Sequence, residues 1–91
     1  MIDVKQAVAN ALKFLLDMYG EQKVLSPRLE EVELSEDGNV WYVTVSFLTE
    51  ATAPDLVSAL SGSSRLDRQY KVLTVWANDG NVRSMKIRQL V

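Results

Sequence analysis

The sequence predicts an α+β fold, with an N-terminal helix packed on a four-stranded antiparallel sheet. Three observations carry this reading. Residues 4–19 repeat their apolar side chains at helical spacing. Residues 29–48 alternate apolar and polar side chains about Asp37-Gly38. Residues 69–90 do much the same about Asn78-Asp79-Gly80.

In the first segment Val4, Val8, Leu12, Leu15 and Tyr19 form one stripe, widened by Ala11, Phe14 and Met18. Lys5, Asn10, Lys13 and Asp17 lie mostly off it. Asp3 followed by Gln6 has the spacing of a capping box, in which each side chain satisfies an orphan amide at the helix start. Gly20 suits the left-handed position that ends a helix. Such a helix is about 24 Å long at ~1.5 Å per residue. That spans about four strands at ~4.8 Å spacing.

The first hairpin is read as strands 29–36 and 39–48 joined by a two-residue Asp37-Gly38 turn. This register sets Leu34 opposite Trp41 and Val32 opposite Val43. The apolar faces then coincide, whereas a one-residue slip would separate them. Trp41, Val43, Val45 and Phe47 share one face, and Thr44 and Ser46 the other. The second hairpin, 69–77 and 82–90, has two possible registers. A tight Asp79-Gly80 turn places Val72, Thr74 and Trp76 on the face of Met85 and Ile87. A glycine bulge places Leu73, Val75 and Ala77 there instead. Either register leaves an apolar set on the second sheet face.

Between the hairpins, Thr52, Pro54 and Asp55 can start a short helix through Leu60. Ser61-Gly62-Ser63-Ser64 follows as a flexible stretch, so residues 61–65 are expected to be the most mobile interior segment. The order helix, strand, strand, connection, strand, strand is most simply a meander with the helix across one face. At 91 residues the chain reads as a single domain, 1–91.

Composition narrows the chemistry. Apolar residues make up 47% and charged residues 24%, as in an ordinary globular protein. There is no cysteine and no histidine. Disulfides are absent, and zinc, haem and Cys/His nucleophile chemistry lie outside the expected functions. No catalytic set, metal site or cofactor is expected. No apolar run approaches the roughly 20 residues of a membrane span. The start, Met1-Ile2-Asp3-Val4-Lys5, lacks the basic flank and apolar stretch of a signal peptide. The expected location is therefore the cytoplasm, away from membranes.

The net charge of −2 is unevenly distributed. Residues 1–50 hold nine acids and four bases, a balance of −5; residues 51–91 hold three acids and six bases, a balance of +3. Glu30, Glu31, Glu33, Glu36 and Asp37 cluster on the first hairpin. They read as a solvated face that discourages edge pairing. Ser61-Gly62-Ser63-Ser64-Arg65 lacks the Gly-Lys-Ser/Thr ending of a phosphate loop and reads as a linker. Arg65, Arg68, Lys71, Arg83, Lys86 and Arg88, with Tyr70 and Trp76 nearby, have the makings of a nucleic-acid surface. The acidic whole-chain balance argues against that partner.

Leu29-Glu30-Glu31-Val32-Glu33-Leu34, the Asp37-Gly38 turn and Trp41-Tyr42-Val43-Thr44-Val45 resemble a PepSY-type domain. Tyr70-Lys71-Val72 and Asn78-Asp79-Gly80-Asn81-Val82 resemble its closing strand and turn. The resemblance implies a cystatin-like layout and an association with propeptides and with binding or inhibiting peptidases, usually outside the cytoplasm. The chain departs from that pattern in its N-terminus and its long middle connection. It also has no Gln-x-Val-x-Gly loop of true cystatins.

The expected function is a non-enzymatic protein-binding module, an inhibitor or immunity-type factor that occludes a partner protein. The alternative is a self-associating structural or accessory subunit, a homodimer formed through the sheet. The residues expected to bind the partner are Tyr42, Ser63, Arg65, Tyr70, Trp76, Arg83, Lys86 and Arg88.

Overall fold

The structure, a computed structural model, describes residues 1–50 and 66–88. The short helix expected through Leu60 and the Ser61–Arg65 stretch lie outside the described residues. Helix α1 spans Val4–Tyr19, and a 3₁₀ turn covers Glu21–Lys23. Four strands follow: β1 Leu25–Leu34, β2 Val40–Glu50, β3 Leu66–Trp76 and β4 Val82–Ile87. They form one sheet in the order β1-β2-β3-β4, antiparallel at every pairing. The α+β meander read from the sequence is therefore the architecture of the protein.

The helix buries a different stripe from the one expected. Ala7, Ala11 and Leu15 are completely buried, whereas Val4 and Met18 are 39% and 62% exposed. Val8, Leu12 and Tyr19 pack at the sides. Ala7 and Ala11 lie four residues apart on one row and lead into Leu15. Their small side chains let the helix backbone approach the sheet, so larger residues are displaced to the flanks. Only half of the capping box forms. The Asp3 carboxylate accepts from the Gln6 N–H at 2.8 Å, but the Gln6 side chain donates to Asn10 Oδ1 at 2.7 Å. Gly20 has φ 87° but ψ 139°, an extended conformation outside the left-handed helical well. Its N–H still closes the helix onto the Leu16 carbonyl at 2.8 Å.

The sheet face toward α1 carries Val43, Val45 and Phe47 from β2 and Leu73 and Val75 from β3, all completely buried. In the first hairpin Leu34 pairs with Trp41 and Val32 with Val43, as expected. The turn is longer than two residues. The strands close at Ser35 and Val40 (2.9 Å), and Gly38 N–H bonds the Ser35 carbonyl at 2.9 Å. Asp37 explains the longer loop, because its carboxylate accepts from the Ser35 hydroxyl at 2.6 Å and the Asn39 N–H at 3.0 Å.

Those two donors, Ser35 first, hold the Asp37 carboxyl below its ordinary value of 3.8. A lowered folded-state pKa makes the contribution of this turn complete above the unfolded value. It is lost as pH falls through the lowered one. A carboxyl titration followed by NMR should place the Asp37 midpoint below that of an unpartnered aspartate. Ser35→Ala should move it back upward, and an unchanged midpoint would remove this account of the turn.

In the second hairpin Leu73 faces Met85 and Lys71 faces Ile87, which selects the bulged register. Thr74 pairs with Ser84 and Val75 with Val82, so the extra residue is Arg83 rather than a glycine of the turn. Contacts with the helix and the residues just before it favour this register. Asn10 Nδ2 donates to the Gly80 carbonyl at 2.8 Å, and Ile2 N–H donates to the Ala77 carbonyl at 2.7 Å. Gly80 has φ +79°, and a Cβ there would lie 2.6 Å from Asn10 Nδ2. The positive φ favours glycine, and a Cβ there would also push the Asn10 amide off its bond to this carbonyl. β1 also starts earlier than expected, at Leu25, through a distorted stretch in which Ser26 has φ 47° ahead of Pro27.

Candidate functional site

With α1 on one face, the opposite sheet face is built from the alternate residues of all four strands. Cross-strand pairing arranges them in rows. One row runs Glu33, Tyr42, Thr74, Ser84; the next runs Glu31, Thr44, Val72, Lys86. A third joins Ser46 to Tyr70, whose carbonyl accepts from Arg88 N–H at 3.0 Å. Val40 pairs with Trp76 at one end, and Leu48 with Arg68 at the other. Among the described residues no helix lies over this face.

The rows sort the charges into columns. Glu30, Glu31 and Glu33 lie along β1, with the base Arg28 at the level of Ser46, while Arg83, Lys86 and Arg88 lie on or at the end of β4. Between them lie Tyr42, Thr44, Val72 and Thr74, of which Thr44 and Thr74 are buried. Tyr42 and Trp76 are 39% and 37% exposed. A shallow depression of about 340 Å³ is lined by Glu31, Glu33, Tyr42, Thr44, Val72 and Arg88.

Two polar links cross the face. Arg88 Nη1 lies 3.2 Å from Glu31 Oε2, so a base at the end of β4 reaches an acid of β1 over Thr44 and Val72. Three strand spacings, about 14 Å, separate the two edges, so both long side chains lie extended across the face. Both side chains are partly exposed, so the pair adds at most about 1 kcal/mol to stability. Deeper in the face, Arg68 Nη1 donates to Ser46 Oγ at 2.7 Å, and Ser46 Oγ donates to Glu30 Oε1 at 3.1 Å. Ser46 is completely buried, and the chain of bonds satisfies its hydroxyl in both directions.

Of the eight residues expected to bind a partner, six share this face. Tyr42 and Trp76 supply exposed aromatic area. Arg83 stacks on Trp76, with its guanidinium carbon 5.4 Å from the ring centre. Tyr70 is half-buried beside Ser46, Lys86 is exposed, and Arg88 is held by Glu31. Ser63 and Arg65 lie outside the described residues. Sequence reasoning missed Ser46, Arg68 and Glu30 as a connected set. The signal was the polar Thr44-x-Ser46 alternation beneath a charged pair, but their connection depends on the bulge that displaces Glu30. Lys71 is also reassigned. It sits on the helix side opposite Val45, buried, with its ammonium 5.9 Å from the Tyr19 ring centre.

Both sheet edges are irregular. β1 is bulged between Leu25 and Arg28 and again between Leu29 and Glu31, and β4 is six residues long with its own bulge. Bulged edges are poor templates for adding another strand. Among the described residues no group of three or more Asp or Glu is placed to hold a metal ion. No described helix is long and apolar enough to cross a membrane. Comparison with known protein families, curated proteins and solved structures gives no match to this chain.

Proposed function

We propose that this chain is a small, non-enzymatic protein-binding module of PepSY-like, cystatin-like type that engages a partner protein through the sheet face opposite α1 and occludes the surface it covers. The observation that carries this reading is the pair Tyr42 and Trp76, each more than a third exposed, on a sheet face flanked by an acidic and a basic column. Exposed aromatic side chains beside arginine are what protein interfaces use as anchors. The columns of opposite sign suit a protein surface of mixed charge better than a nucleic acid, whose uniform negative charge would meet Glu30, Glu31 and Glu33.

A variant with Tyr42→Ala and Trp76→Ala tests it. Neither side chain belongs to the helix-side core, so the fold should persist. Capture with the parent chain should yield a partner protein in stoichiometric amount. The double variant should bind that partner at least about tenfold more weakly, the effect of losing an anchor. Equal binding by both forms would rule out this face. Met18→Ala, on the exposed side of the helix, serves as the control that leaves binding unchanged.

A further inference from the structure

We infer that the free edge of β4 takes an extended peptide from a partner protein as a fifth strand, one whose side chains alternate between apolar and acidic. This edge is a second surface, apart from Tyr42 and Trp76, and does not depend on what those residues bind.

The β3–β4 ladder decides which backbone groups are available. From Ser84 to Ile87 every residue of β4 has one partner on β3. Arg88 N–H continues that register by donating to the Tyr70 carbonyl at 3.0 Å. Opposed residues of an antiparallel pair alternate between those that exchange both backbone bonds and those that exchange neither. Arg88, Lys86 and Ser84 therefore turn their amides toward β3. Met85 and Ile87 turn theirs outward, two N–H and two C=O groups on the outer edge of the sheet. The bulge at Arg83 precedes this stretch. It shortens the usable edge to that of a brief peptide without breaking it.

Side chains set what the added strand must look like. On the helix side, Ile87 ends the row of Leu29, Val45 and Lys71 and is 73% exposed. Between α1 and the start of β4 lies a depression of about 290 Å³ lined by Phe14 and Val82 together with Asn10, Lys13 and Asp17. A strand beside β4 aims every second side chain into this angle between helix and edge, the arrangement of peptides bound by strand addition. Apolar side chains there cover Ile87 and fill the depression. The alternate side chains lie on the other face, beside Arg83, Lys86 and Arg88. Three bases in a row are met by acids. The same bases oppose β4 of a second copy, which would set like charges side by side. β1 is the poorer edge, because it is bulged twice and its Val32 is half-buried against the core.

The probes are two blocked heptapeptides, one alternating glutamate with valine and one alternating lysine with valine. At up to about 1 mM peptide and about 0.1 M salt the glutamate peptide should bind, and the lysine peptide at least ~10-fold more weakly. Amide hydrogen exchange followed by NMR should slow at least about threefold at Met85 and Ile87. It should not change at Ser84 and Lys86, whose N–H groups already bond to β3. Ile87→Pro removes an outward N–H and no bond to β3, so the fold should persist while binding falls at least ~10-fold. Lys86→Glu, at an exposed side chain, should reverse the preference between the peptides, and it tests the edge even if the proline disturbs β4. Binding of neither peptide at about 1 mM overturns the proposal, as does slowed exchange at Val32 and Leu34 in place of Met85 and Ile87. An unreversed preference in Lys86→Glu overturns the acidic character of the occupant. Self-assembly without peptide that protects all four amides overturns the partner peptide, since β1 of a second copy would then hold the edge.

Discussion

Val43→Asp should abolish the folded state or bring it to the edge of unfolding. Val43 is completely buried on the helix side of β2, paired with Val32 on one strand and Leu73 on the other. An aspartate there meets only apolar neighbours of the core that includes Leu15 and Phe47. Burying an unpaired carboxylate, or shifting its pKa far enough to stay neutral, costs several kcal/mol. The whole fold has about 5–15 kcal/mol to lose. Urea unfolding followed by tryptophan fluorescence should show either no transition or a midpoint near zero denaturant. A cooperative transition close to that of the parent protein would mean that β2 does not turn Val43 toward the helix.

Phe47→Ala should be the next most damaging change, lowering stability by about 3–5 kcal/mol. Phe47 is the largest fully buried side chain among the described residues. Its ring centre lies 5.4 Å from that of Tyr19, tilted by 53°, where the end of α1 crosses the sheet. Removing it loses the transfer of a large apolar side chain and leaves a cavity. Val45, Leu73 and the helix are anchored elsewhere and can close that space only in part. Phe47→Leu, which keeps more of the volume, should cost less than half as much. The contrast is read from urea midpoints at unchanged slope. Equal effects of the two substitutions would show that the site collapses around the loss, and that the helix end is held by something other than this ring.

Much of the fold was legible because it depends on short-range periodicity. The helix bounds, 4–19, follow from a repeat that only a helix can bury and from Asp3 and Gly20 at its ends. The first hairpin register follows because the apolar faces of β1 and β2 coincide in only one alignment. The helix stripe was misjudged because hydrophobicity ranks Val4 and Met18 above Ala7. Close approach to a sheet rewards the smallest side chain at the point of contact. The candidate site was legible residue by residue, as exposed aromatics and opposite charges, but not as an arrangement. Nothing in the linear order places Arg88 against Glu31, or Arg68 against Ser46 and Glu30.

What the sequence by itself determined was the set of elements, their antiparallel order and the separation of acids from bases between the two hairpins. These follow from patterns that act over a few residues, where backbone geometry leaves little choice. The tertiary structure decided the second hairpin's register. Both alternatives bury an apolar set, so local pattern cannot separate them. Contact with the helix through Asn10 on Gly80, and with the segment before it through Ile2 on Ala77, favours the bulged one. That choice puts Leu73 and Val75 in the core and turns Val72 and Trp76 outward. It also turns Ser84 and Lys86 to the face opposite the helix, because side-chain direction in a sheet has a period of two and one extra residue reverses it.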